Sequence, residues 1–74
     1  MSRAINLSLS EADVREKFRK RDVSISAIEP LKSGGTHVVC TTIEGAAEIR
    51  RRLRSHLIEG PVQRFPFYHA GHSW

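Results

Sequence analysis

Apolar and polar positions alternate over residues 3–9, with Ile5, Leu7 and Leu9 on one side and Ala4, Asn6 and Ser8 on the other. A period of two is that of a half-buried strand. Ser10 then reads as an N-cap, with Asp13 three residues on as a capping-box variant. Leu9 and Val14 straddle that cap as a hydrophobic staple. The helix it opens carries acids first (Glu11, Asp13) and bases last (Arg19, Lys20, Arg21), as the helix dipole favours. Its apolar stripe, Val14 and Phe18, is narrow. Alternation returns over 23–29, where Val23, Ile25 and Ala27 oppose Ser24, Ser26 and Ile28, and Pro30 closes the run. Lys32-Ser33-Gly34-Gly35 is turn chemistry between two strand-like runs, the mark of a hairpin. Residues 36–41 are rich in β-branched and apolar side chains and predict another strand. Thr41 or Thr42 caps a second helix, where Ile43, Ala46, Ile49, Leu53 and Leu57 follow the helical spacing and Glu48, Arg51 and Arg54 face outward. Gly60-Pro61 stops it. Residues 62–67 predict a last strand, which Pro66 confines to an edge, and 68–74 show no periodicity and predict a loose tail.

The predicted order is strand, helix, strand, strand, helix, strand. Right-handed crossovers put both helices on one side of the sheet. The expected fold is therefore α+β, a ferredoxin-like βαββαβ domain over residues 1–67: a four-stranded antiparallel sheet with two helices on one face. The other face is open. It is expected to carry Asn6, Ser8, Ser24, Ser26, Ile28, His37 and Val39, with Val62 and Arg64 if Phe65 and Phe67 point inward.

Within that order, particular stretches carry a resemblance. Residues 10–18, from Ser10 to Phe18 with Val14 between, the run Gly34-Gly35-Thr36-His37-Val38-Val39-Cys40 followed by Ala46, Ile49 and Leu53, and the lead-in Leu57-Ile58-Glu59-Gly60-Pro61-Val62 are similar to an RNA recognition motif. The resemblance spans about residues 3–67 and is one of fold pattern. It implies a module that binds single-stranded RNA on the open face of its sheet. In that family, aromatic side chains on the two central strands stack the bases. Here Gly35, His37 and Asn6 stand at those places, so only His37 could stack. Base stacking contributes about 1–3 kcal/mol per base, and without it the binding expected is weak, salt-sensitive and poor in sequence preference.

Charge changes the picture in one respect. The chain has 74 residues, 12 Lys and Arg against 8 Asp and Glu, and a net charge of +4. Up to Ile49 the charges cancel. From Arg50 onward stand Arg50, Arg51, Arg52, Arg54 and Arg64 against Glu59 alone. A basic surface attracts polyanions. The expected nucleic-acid contacts are Arg64, His37 and Asn6 on the open sheet, with Lys32 and Arg3 at its rim, the cations touching phosphate rather than bases. A second reading is a protein-interaction module, self-associating as a homodimer or docking a larger partner. In that reading Phe65, Phe67, Tyr68 and Trp74 serve as anchors, or an edge strand accepts another strand.

Other chemistry finds little support. Cys40 is the single cysteine, placed as a small buried hydrophobe. It stands three positions from His37 on one strand, so the two point to opposite faces and do not pair. His69 and His72 alone fall short of a zinc site. The Gly34-Gly35 turn lacks a following Gly-Lys-Ser/Thr, and the junction Leu9-Ser10-Glu11 lacks a phosphate-cradling loop. No catalytic constellation, metal site or cofactor is expected. No apolar run approaches the ~18 residues of a membrane span, and no signal peptide is visible, so a cytoplasmic, soluble, non-enzymatic module is the expectation.

Overall fold

Alternation becomes pairing at the first strand. In the computed structural model, which describes residues 2–63, β1 (Ala4–Leu7) runs antiparallel beside β3 (Thr36–Cys40), and β3 runs antiparallel beside β2 (Ile25–Pro30). The sheet order is β1-β3-β2. Two helices complete an α+β architecture: α1 (Glu11–Lys20) and α2 (Ile43–Arg52).

Both helices start where their caps require. The Asp13 N–H donates to Ser10 Oγ at 3.1 Å, and the Gly45 N–H donates to Thr42 Oγ1 at 2.9 Å. Each bond satisfies one of the donors that a helix start leaves without an intrahelical partner. Val14 and Phe18 of α1 and Ala46 and Ile49 of α2 meet Ile5, Leu7, Val38 and Cys40 in one buried cluster. The two helices therefore cover the same face of the sheet. Thr36 is buried on that face too, and its hydroxyl donates to the Leu9 carbonyl at 2.7 Å, so its burial leaves no polar group unmet.

Ile28 departs from the expected open face. A register shift between Ile25 and Ala27 inserts Ser26 as an extra residue, so Ala27 pairs with Val39 and Ile28 pairs with Val38. Cross-strand partners share a face, and a bulge of one residue reverses every side chain beyond it. Ile28 accordingly packs against the core, and Ala27 takes its place outside. The strict alternation over 23–29 misleads because it assumes an unbroken pleat. β2 also starts at Ile25 and takes in Pro30, which sits in an edge strand where a missing N–H is tolerated.

The second helix is shorter than its apolar spacing predicts. It ends at Arg52, and a 3-10 turn (Arg54–His56) follows. Leu57 then forms an isolated antiparallel bridge with Leu7. The Ser8 N–H donates to the His56 carbonyl at 2.8 Å, and the Ile58 N–H donates to the Asn6 carbonyl at 2.9 Å. Backbone groups that a longer helix would have paired internally are satisfied at the outer edge of β1 instead. Leu57 still reaches the core, from the side of the sheet. Val62 and Gln63 are not in a strand. Residues 64–67 of the expected last strand, and the expected tail over 68–74, lie outside the described residues.

Candidate nucleic-acid interface

Register places the open-face residues in rows. Asn6 pairs with His37 and His37 with Glu29, giving one row across three strands; Ala4, Val39 and Ala27 form the next. In the first row His37 Nδ1 donates to Asn6 Oδ1 at 2.7 Å. An amide oxygen only accepts, so this bond holds the ring proton on Nδ1. Both side chains are half-buried on the face away from the helices. Cys40 is fully buried beneath the helices, and burial pushes its thiol pKa up, partly offset by the nearby Arg50 charge. A thiol so placed is a packing group and not a nucleophile.

Glu29 is the residue that alternation did not reveal. It stands beside His37 on the open side of the sheet and is only 4% exposed. The sequence signal was present, a carboxylate just before Pro30, but an unbroken pleat would have turned it toward the helices. Asn6, His37 and Glu29 thus span the sheet from β1 to β2, and the rim positions lie beyond its two ends.

Those ends carry the rim cations. Arg3 lies beyond β1, where its carbonyl accepts the Cys40 N–H at 2.9 Å and its Nη1 donates to the Thr41 carbonyl at 3.3 Å. Lys32 lies in the β2–β3 turn at the opposite end, exposed, with its backbone N–H donating to the Gln63 carbonyl at 2.8 Å. The length of β3 separates the two, roughly 14 Å at the usual rise of a strand. Asn6 and His37 fall between them. The structure thus brings Asn6 and His37 together and sets Arg3 and Lys32 apart, while Arg64 lies outside the described residues.

The helix layer carries a second concentration of charge. Residues 17–21 hold four cations and no acid, and so do residues 50–54. The turn after α1 brings them together. Asp22 adopts a φ of +57°, a left-handed conformation that Asp tolerates better than most residues. The chain then reverses to Val23, whose side chain packs so close to Gly45 that a Cβ there would lie 3.0 Å from Val23 Cγ1. Lys20 and Arg21 consequently share a cleft of about 470 Å³ with Glu48 and Arg52 of α2. Both runs are legible in the sequence; their meeting is not.

Ion pairs tether part of this charge. Arg52 Nε donates to Glu48 Oε2 at 2.7 Å, and Arg51 Nη2 donates to Glu48 Oε1. The hydrogen bond from Arg52, with that from Arg51, holds the Glu48 carboxyl below its usual range. On α1, Arg19 does the same for Glu16 across 2.6 Å.

Among the described residues, no group of three or more His, Cys, Asp or Glu side chains is arranged to hold a metal ion. No helix there is long and apolar enough to cross a membrane. The chain matches no family model, no curated protein and no solved structure.

Proposed function

We propose that the chain is a small non-catalytic module that binds nucleic acid, single-stranded RNA in particular, weakly and with strong dependence on salt. The character of its surface carries this reading. Among the described residues Ile43 is the one large hydrophobic side chain left exposed. Exposed Lys and Arg residues outnumber it, with Arg15, Arg19 and Lys20 on α1, Arg51 and Arg52 on α2 and Arg54 in the 3-10 turn. Stable protein docking draws on contiguous apolar surface, whereas binding to a phosphate backbone draws on cations. The proposed sheet-face contacts are Arg3 and Lys32 on phosphate, with Asn6 and His37 between them and Arg64 as a further cation.

We further propose that the fold is ferredoxin-like, related in layout to an RNA recognition motif. The order β1-β3-β2 matches three consecutive strands of that layout, and the Leu7–Leu57 bridge stands where a fourth strand would begin. Strand addition by a protein partner is disfavoured at both edges. At β1 the Ala4 carbonyl accepts from Arg50 Nη2 at 3.0 Å, and the Asn6 carbonyl is already taken by Ile58. At β2 Pro30 offers no donor.

The experiment is a titration of single-stranded RNA into the labelled protein at about 50 mM salt, repeated at about 200 mM. Amide shifts at Asn6, His37 and Lys32 that weaken at higher salt are the expected result. A silent titration at low salt, together with a molecular size that grows with protein concentration, overturns the reading in favour of a self-associating module.

A further inference from the structure

The cleft between α1 and α2 has a chemistry that the sheet face lacks. Three cations line it, Lys20, Arg21 and Arg52, against one carboxylate, Glu48. Its net charge is therefore +2. The pocket beyond, lined by Glu44, Ala47, Glu48 and Arg51, sums to −1 and suits no anion.

The cations are also partly oriented. Arg52 spends its Nε on Glu48, and among the described residues neither of its terminal nitrogens has a hydrogen-bond partner. Arg21 Nη1 donates to the Lys17 carbonyl at 3.1 Å, which ties its guanidinium to the end of α1. Lys20 Nζ stays 4.0 Å from a Glu16 carboxylate that Arg19 holds much more closely, and its side chain is 66% exposed. Tethered guanidinium groups lose less freedom when they take up a phosphate oxygen, and their planar donor forks match its geometry.

From this we infer that the α1–α2 cleft is a phosphate-backbone site, in which Lys20, Arg21 and Arg52 take the phosphodiester oxygens of a single-stranded nucleic acid. The inference rests on the nucleic-acid reading above but not on the sheet face. A nucleic-acid strand fits better than a membrane surface. The apolar stripes of both helices are spent on the core, and no large hydrophobic side chain lines the cleft to enter a bilayer. The cleft also lies on the layer opposite the Asn6–His37 row. A bound strand would therefore occupy one side of the molecule or cross from one to the other, and would not lie on both together.

The probe is a short oligouridylate, which has little structure of its own. Each phosphate contact contributes about −0.7 to the slope of log K against log salt for a single strand. Three contacts give a slope of about −2, and about a 20-fold loss of affinity between 50 and 200 mM salt. The double variant Lys20→Gln with Arg52→Gln lowers the slope by about 1.4, and wild-type titration shifts the amides of Arg21 and Glu48. The companion variant Arg3→Gln with Lys32→Gln removes the same net charge from the sheet rim, and amide dispersion establishes that each variant is folded. An unchanged slope in the cleft variant, with Arg21 and Glu48 unmoved, overturns the cleft while leaving the nucleic-acid reading in place if the rim variant loses affinity. No binding of wild type at about 50 mM salt overturns both. Cosedimentation with anionic-lipid vesicles in place of oligonucleotide binding overturns the cleft as a nucleic-acid site.

Discussion

Gly35→Ala should unfold most of the chain, whereas Gly34→Ala, one residue earlier in the same turn, should only weaken it. Both glycines have left-handed φ angles, +89° and +102°, so alanine at either pays a backbone penalty of roughly 1–2 kcal/mol. The surroundings differ. A Cβ on Gly34 meets nothing within 4 Å, but one on Gly35 would lie 2.5 Å from the Leu7 carbonyl oxygen and 2.9 Å from Ile58 Cδ1. Leu7 has little room to yield. Its side chain is fully buried, and its backbone stands between Thr36 on one side and Leu57 on the other. Overpacking of this kind adds about 1–3 kcal/mol. The sum, about 2–5 kcal/mol, is comparable with the roughly 3–5 kcal/mol that a core of this size supplies.

Urea unfolding followed by circular dichroism reads the difference directly. With a slope near 1 kcal/mol per molar, Gly34→Ala should lower the midpoint by about 1–2 M and retain a folded baseline. Gly35→Ala should lower it by a further 1–3 M or abolish the baseline altogether. Equal midpoints for the two variants would refute the close approach of Gly35 to β1. The register that pairs Asn6 with His37 would fall with it, and so would the proposed sheet-face contacts.

The bulge in β2 has an equally direct test: Ile28→Ser should cost about 2 kcal/mol or more by exposing a core position to a hydroxyl. Ala27→Ser should be nearly neutral, and the opposite ranking in urea midpoints would restore the unbroken pleat. Glu16 and Glu48 have folded pKa values depressed by their arginine partners. Their contribution is therefore complete above the ordinary carboxylate range and is lost as pH falls through the depressed values. The urea midpoint should fall over that acidic window, less steeply in Glu48→Gln and less steeply at high salt. Cys40 should ignore a thiol reagent at neutral pH until the chain is unfolded, since its thiol is fully buried and its pKa raised; prompt reaction of the folded protein would contradict its place under the helices.

Local pattern carried most of the scaffold. Ile5 and Leu7 alternate with Asn6 and face the helices as expected, and Ser10 and Thr42 cap the two helices through side-chain bonds that their positions anticipate. Two features were not legible, for two different reasons. Ser26 gives no outward sign of a bulge, because the residue that is inserted is an ordinary strand serine. Only pairing with β3, a long-range event, decides that Ile28 turns inward and Glu29 outward. Leu57 satisfies the helical spacing and the bridge to Leu7 equally well. Periodicity registers that a side chain reaches the core without recording which backbone path takes it there.

The same distinction governs where a polyanion would be held. Arg50–Arg54 stands out in the sequence, but Lys17–Arg21 reads there as no more than a favourable helix end, since cations offset the dipole at a C-terminus. That local role is real: the Arg21 guanidinium donates to the Lys17 carbonyl within the last turn of α1. Folding gives the run a second consequence by setting Lys20 and Arg21 opposite Arg52 while Glu48 neutralises only part of the sum. The sheet undergoes the reverse change. A face on which the sequence shows cations and no acid acquires Glu29 beside His37 through one bulge. The proposed phosphate contacts accordingly lie on the helix side and at the two ends of the sheet. If backbone charge rather than base contact dominates, oligonucleotides of one length and different sequence should bind alike. A strong preference for one sequence would mean that Asn6 and His37 read bases despite the carboxylate beside them.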